Sequence, residues 1–363
     1  MKKYKIGIIG FGFIGKVHTF GYSNLKFYYD LPFEVELFGI CASTKETLKK
    51  AENFGFKFFT QNADELIKHP EIDIVDICSP NIFHKEQLIS AMNEQKHIYC
   101  EKPLVCDIKE TIEIEKIFSK KYKKISQMVF HNRFFPATLK TKFLIEKGFL
   151  GKPLSFRSTY FHSGSLDKNK PIGWKQEKGA GVLLDLGSHI IDLVYWFLGE
   201  FESVIGKSTI LYPERIDKNG KKIKIEVEDS ISFLAKMKNG SIGSIEASKI
   251  TIGSEDQLTF EIYGTEGAIK YNSMNPNFLK VFNKEEKCFK NLPTVQKYEE
   301  SNFPGPKFSI GWIRAHIHSI YNFLSCIDKN VLAEPSISAG IYNMKVCDAV
   351  KNSEKTGKWE FVK

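Results

Sequence analysis

The stretch "KKYKIGIIGFGFIGKVH", residues 2–18, decides how the chain is read. Its first half is isoleucine-rich and extended in character, which suits a strand. Its second half places Gly10, Gly12 and Gly15 at G-x-G-x-x-G spacing and runs into residues compatible with a helix. The spacing alone is weak evidence, but a strand before it and a helix after it make it strong. Glycines there allow a tight turn and close approach of a pyrophosphate, and the free N–H groups of a helix start favour an anion. Phe13 and Ile14, between the last two glycines, belong to the same cradle. A glycine-rich turn with no ligand is the plainer alternative, and the flanking elements weigh against it.

Outward from this turn, strand and helix signals alternate through residue 125, as in a parallel sheet. "EVELFGICAS", "FKFF", "IDIVDICSP" and "KHIYCEKP" read as strands, separated by helical "TKETLKKAENFG", "NADELIK" and "HKEQLISAMNEQ". Asn62 is the expected N-cap of the third helix. "KISQMVF" reads as a strand leading out of this region. From residue 126 the runs are extended and separated by turn residues, and Asn239-Gly240 is a strong hairpin signal. Helical character returns at residues 311–328 and 336–353. The expectation is α/β: a doubly wound dinucleotide-binding domain over residues 1–125, and an α/β domain with a large, mostly antiparallel open-faced sheet over residues 126–363.

A chain of 363 residues suits about two domains. Its 42% hydrophobic and 26% charged residues are those of a globular protein. No apolar run is long enough to span a bilayer, and the glycine-broken N-terminus is not a secretory signal. Seven scattered cysteines point to a reducing cytoplasm rather than disulfides. The net charge of +9 rests mostly on lysines spread along the chain, with only four arginines, and no basic-aromatic cluster marks a nucleic-acid site. No His, Cys and carboxylate residues share metal-ligand spacing, so no metal is expected.

The second strand ends "CASTKET", with Ser43, Thr44 and Lys45 and no acid before Glu46. A carboxylate there would hold the ribose diol of NAD, whereas hydroxyls and a lysine suit a 2′-phosphate. NADP or NAD is expected, with NADP slightly favoured. Ser79, Pro80, Asn81 and His84 follow the fourth strand, and Glu101 and Lys102 end the fifth, all at the carboxyl edge where open α/β sheets bind ligands. Taken alone, Lys102 reads equally well as a surface lysine before a turn proline.

"GAGVLLDLGSHIIDLVYWFLG", residues 179–199, is apolar enough to be a buried helix yet contains Asp185, His189 and Asp192. At spacing i, i+4 and i+7 they share one helix face. Burying such groups is costly unless they are paired or used. The plainer reading is a core histidine tied to two carboxylates.

In their order, "GIIGFGFIGKVH", "SPNIFH", "KHIYCEKPL", "HNRFFP", "GAGVLLDLGSHIIDL" and "FEIYGTEGAIKY" resemble the glucose–fructose oxidoreductase/inositol dehydrogenase (Gfo/Idh/MocA) family over essentially the whole chain. The resemblance implies an NAD(P)-dependent oxidoreductase acting on a hydroxyl of a sugar, cyclitol or related polyol, and a homo-oligomer formed through the C-terminal sheet. It implies that Lys102, Asp185 and His189 form the catalytic group. A histidine, with an unperturbed pKa of about 6.5, suits removal of the hydroxyl proton. Asp185 would orient the ring or bind a neighbouring hydroxyl, and Asp192 would stand further back. Gly179, Ala180 and Gly181 would let this segment approach a ligand.

Other expectations are smaller. Asn132 and Arg133 lie near the domain junction, Arg133 and His162 as substrate contacts. Trp174 either walls the sugar site or packs. His316 and His318, at i and i+2, face different ways, and His18 packs on the first helix. The family also includes NAD-dependent glycosidases, which oxidise transiently. A dinucleotide-binding regulator without catalysis is the alternative from another class.

Overall fold

Ile6 and Ile8 on one face of β1 (Lys2–Ile9) and Ile9 on the other are all buried, and the strand pairs in parallel with neighbours on each side. In a computed structural model, residues 1–169, 173, 179–217 and 219–363 are described. They fall into two compact units, Met1–Phe134 with Tyr298–Tyr342, and Phe135–Lys297 with Asn343–Lys363.

The first unit adds α1 (Phe13–Tyr28), β2 (Phe33–Cys41), α2 (Lys45–Ala51), β3 (Phe58–Thr60), α3 (Ala63–Lys68), β4 (Ile74–Ile77), α4 (His84–Asn93), β5 (His97–Cys100), α5 (Ile108–Lys121) and β6 (Ser126–Met128). The sheet order is β3-β2-β1-β4-β5-β6. The chain reverses direction across the sheet between β1 and β4, the place where such folds bind dinucleotides. Helix starts follow local chemistry: the Thr44, Asn62 and Asp107 side chains accept from the first N–H groups of α2, α3 and α5.

The second unit begins with α6 (Pro136–Glu146) and β7 (Pro153–Phe161). A π-helical turn, Leu183–Gly187, leads into α7 (Ser188–Leu198). Then come β8 (Phe201–Thr209), β9 (Glu214–Ile216), β10 (Lys222–Lys224), β11 (Ser230–Met237), β12 (Ile242–Ser248), β13 (Gln257–Gly264), β14 (Gly267–Asn272), β15 (Phe278–Asn283) and β16 (Cys288–Pro293). The chain ends with α8 (Trp312–Lys329), α9 (Ile337–Thr356) and β17 (Glu360–Phe361). A nine-stranded sheet runs β16-β15-β14-β13-β7-β12-β11-β8-β17, and β9 pairs with β10 separately. Of the nine-stranded sheet's neighbour pairs only β12–β7 is parallel. Met237 and Ser241 close the β11–β12 hairpin around Asn239-Gly240 with a 2.8 Å bond. Inward-facing Phe233, Ile245 and Phe260 are buried, and Phe197 of α7 lies 5.0 Å from Phe260. Leu234 and Ile242, on the other face, are exposed.

The units are drawn differently from the expected break at 125/126. β6 is the sixth strand of the first sheet, paired with β5, rather than a strand leading out. Helix α8 belongs to the first unit, although the expectation put it in the second. Its Ile317, Ile320, Phe323, Leu324 and Ile327 share a core with Tyr22, Leu25 and Tyr29 of the first unit. Burying that apolar stripe outweighs its distance along the chain.

Candidate active site

The glycine cradle of the first unit is shaped from within and open in front. Gly10 has φ +100°, and a side chain there would collide with the Cys78 carbonyl. At Gly15 a Cβ would strike the Gly10 carbonyl. Gly12 differs, because among the described residues, its chain neighbours aside, no atom lies within 4 Å of where its Cβ would stand. Packing does not require glycine there, whereas close approach of a pyrophosphate does. The start of α1 has no side-chain cap and no acid in its first turn, leaving its N–H groups available to an anion. The residues present thus fit a dinucleotide. Phe13 is 75% exposed beside this opening, with the Trp312 ring 5.8 Å away, and Ile14 is partly buried.

At the end of β2, Ser43, Thr44 and Lys45 are exposed. The Thr44 hydroxyl caps α2, accepting from Thr47 N–H at 3.2 Å. At the end of β4, Ser79 Oγ donates to Gln87 at 2.7 Å, Pro80 is partly exposed and Asn81 is buried. His84 is buried as a strut between loops: Nδ1 lies 3.0 Å from the Pro103 carbonyl, and Nε2 2.9 Å from the Ser79 carbonyl. Burial lowers its pKa. With both nitrogens facing main-chain carbonyls, its ring holds the cradle's rim.

Beneath Lys102 lies a group that spacing along the chain could not disclose. His18 is fully buried, and its Nδ1 lies 3.0 Å from both Asp76 carboxylate oxygens and 3.1 Å from Cys78 Sγ. Its Nε2 is 3.4 Å from Glu101 Oε1. Burial disfavours the imidazolium, but Asp76 and then Cys78 outweigh that and raise the His18 pKa well above its usual value. His18 therefore does more than pack on α1. His316 stacks on His131 with ring centroids 4.2 Å apart and lies 5.9 Å from His18. Burial, then the neighbouring His131, His18 and Lys102, push its pKa well down. His318 accepts from or donates to the Tyr29 hydroxyl at 2.8 Å, and burial followed by Arg314 pushes its pKa down to about 3. Two groups, His18–Glu101–His316 and His18–Asp76–Cys78, do bring metal-ligand atoms together, contrary to the expectation from spacing. His18 belongs to both groups, and its contacts with Asp76 and Glu101 are those of an ion-pair network.

In the second unit, Asp185, His189 and Asp192 are all buried. They do not lie on one regular helix as expected, because Asp185 belongs to the π turn and His189 and Asp192 to α7. Such wide turns occur often at functional sites. The Glu228 main-chain carbonyl and its Oε1 accept from Val182 and Leu183 N–H groups at 3.0 and 2.9 Å, anchoring the turn. Asp185 Oδ2 is 3.1 Å from Lys249 Nζ, with both side chains under a tenth exposed. Lys249 was missed in the sequence, where it follows a strand with no motif around it. The Tyr160 ring is 5.8 Å from His189, and its hydroxyl donates to Asp256 at 2.6 Å. His162 accepts from Gly164 N–H at 2.9 Å, closing a local turn. Asn132 and Arg133 are buried in the turn His131–Phe134 of the first unit. Trp174 lies outside the described residues.

The glycine cradle and the Asp185–His189 segment each fall inside a family match. Residues 4–129 match the oxidoreductase family with NAD-binding Rossmann fold, and residues 138–270 match the GFO/IDH/MocA C-terminal domain. The chain belongs to the GFO/IDH/MocA family. It is an oxidoreductase with an NAD-binding fold. Levoglucosan dehydrogenase of Pseudarthrobacter phenanthrenivorans is 31% identical over 99% of this chain and 98% of its own. Glucose-6-phosphate 3-dehydrogenase of Bacillus subtilis is 29% identical over 95% of this chain and 94% of its own. A solved levoglucosan dehydrogenase, in complex with NADH and L-sorbose, has a TM-score of 0.95 at 32% identity over the full length of both chains. Among the described residues, no helix is long and apolar enough to cross a membrane.

Proposed function

We propose that this family member oxidises a secondary hydroxyl of a sugar, anhydrosugar or related polyol, or reduces the corresponding ketone, using Lys102, Asp185 and His189. The observation that carries the reading is the buried Asp185–Lys249 pair on a π turn directly before His189, a costly arrangement for packing alone. A dinucleotide held by the cradle of Gly10, Gly12 and Gly15 would supply the hydride acceptor. His189 takes the hydroxyl proton as the C–H hydride leaves and the carbonyl forms. The Lys102 ammonium donates a hydrogen bond to the same oxygen. Asp185, fixed by Lys249, accepts from a neighbouring hydroxyl and keeps the sugar face in register. The likeness to levoglucosan dehydrogenase and to glucose-6-phosphate 3-dehydrogenase supports a pyranose-shaped substrate.

Arg133 and His162 are assigned to substrate contact. The lack of an acid at Ser43, Thr44 and Lys45 extends cofactor use from NAD to NADP, with Thr44 contributing less because its hydroxyl already caps α2. Copies associate through the open sheet face bearing Leu234 and Ile242. The seven cysteines, all free, suit a reducing cytoplasm.

The test is a panel of aldoses, anhydrosugars and cyclitols with NAD and with NADP, followed by absorbance of the reduced cofactor. Turnover of at least one pyranose is expected, with His189→Ala and Lys102→Ala inactive but still binding NADH. Cofactor binding without net turnover of any compound would favour a transient-redox glycosidase or a regulator. Turnover with NAD alone removes the extension to NADP.

A further inference from the structure

The proposed chemistry makes no use of the ionic group buried beneath Lys102. Asp76 on β4 and His18 on α1 are both fully buried, and Glu101 at the end of β5 nearly so. Asp76 faces His18 Nδ1 at 3.0 Å through both oxygens. Glu101 faces His18 Nε2 at 3.4 Å through Oε1, while its Oε2 accepts from the Lys102 main-chain N–H at 3.1 Å. A continuous line therefore runs from a central strand, through an imidazole and a carboxylate, to the peptide of Lys102. Cys78 Sγ lies 3.1 Å from His18 Nδ1, the Tyr99 ring is 5.2 Å away and His316 5.9 Å.

Apolar residues of similar volume would fill this space at lower cost, since buried ion pairs contribute little net stability. Two carboxylates flanking one ring make sense if the ring's task is to hold the second carboxylate still. We propose that His18 is a positioning residue for Lys102, acting through Glu101 to fix the direction in which the lysine leaves the end of β5. The inference rests on the reading of Lys102 as a catalytic lysine. Nδ1 is hydrogen-bonded to Asp76, which works against burial to raise the His18 pKa, and Nε2 faces Glu101 as an ion-pair contact at 3.4 Å.

Two amide substitutions separate the two contacts. The Asn amide reaches only the place of Nδ1, so His18→Asn keeps a partner for Asp76 and abandons Glu101. The longer His18→Gln carries its amide toward Nε2 and keeps a donor for Glu101. In the full chain, kcat, KM, NADH binding by fluorescence, melting temperature and the pH profile of kcat are measured for both. His18→Asn should lower kcat on the order of 100-fold, the scale of a small misplacement of a catalytic group. KM and NADH affinity should change little, and His18→Gln should recover most of the loss. The pH profile of His18→Asn should move to higher pH, because a positive charge near the Lys102 ammonium has been removed.

Equal kcat in the two variants, or a pH profile that does not move, would make His18 a stability element and overturn the proposal. Should both variants fail to fold, Glu101→Gln decides, since it keeps an acceptor for the Lys102 N–H and removes the charge facing His18. A lowered kcat and a moved pH profile are expected there, and wild-type kinetics would overturn the proposal. Lys102→Ala separates the two levels. If it is fully active, the catalytic lysine falls; if it is inactive while His18→Asn behaves as wild type, only the positioning role falls.

Discussion

Each unit buries an ionic group, and the two are built differently. Asp76, His18 and Glu101 project from the regular elements β4 and α1 and the end of β5, so their geometry is set by a parallel sheet and the helix upon it. Asp185 and Lys249 stand on a π turn and just past the end of β12, where the backbone departs from its regular path. The first group has two carboxylates on one imidazole, with Asp76 and His18 wholly out of water and Glu101 nearly so. The second pairs one carboxylate with one ammonium, both as nearly buried as Glu101. A regular scaffold suits a group that must not move. An irregular turn suits one that must present its charge to a ligand.

The sharpest way to break this contrast is to remove the chemistry while leaving the scaffold. His189→Ala should lower kcat by about 10²–10⁴-fold, the range of a general base, with the melting temperature nearly unchanged. A loss under tenfold, read in initial rates, would move His189 into the supporting class. Lys249→Met comes next. It leaves Asp185 buried without this cation and should destabilise the chain by about 3–5 kcal/mol in urea unfolding. Adding Asp185→Asn should restore part of that stability but none of the activity. Full stability of the single variant would show that the pair is not the anchor.

Proton linkage sharpens the contrast within the first unit. His18 has its folded pKa raised, so its stabilisation is complete below its unfolded value of about 6.5 and is lost as pH rises through the folded value. His318 has its pKa pushed down to about 3, so its stabilisation is present above about 6.5 and is lost as pH falls toward 3. Each slope should approach about 1.4 kcal/mol per pH unit per proton. Unfolding free energy should therefore fall on both sides of neutrality, and His18→Gln should flatten only the alkaline side. Flattening on the acid side instead would invert the assignment. The smallest effect belongs to the open sheet face. Leu234→Asp should change the unfolding free energy of the isolated chain, measured at high dilution, by no more than about 0.5 kcal/mol. Its readout is mass by light scattering, where a shift to a smaller species supports association through that face.

Much of the fold was legible because its signals are local. The isoleucine run, the glycine spacing, the Asn62 cap and the hairpin at Asn239-Gly240 each depend on a few neighbouring residues. The membership of α8 was not legible, since an apolar stripe does not say which core it joins. Nor were the partners of His18, which lie 58 and 83 positions away along the chain. Lys249 carries no motif, and the π turn looks in sequence like the helix that follows it.

The sequence by itself determined the order of strands and helices, the pyrophosphate cradle and the residue types available for hydride chemistry, because periodicity and turn chemistry act over a few residues. Only the tertiary structure decided which charges became partners. In a buried site the favourable state of a charge depends on what surrounds it in space, and that neighbourhood is assembled from distant parts of the chain.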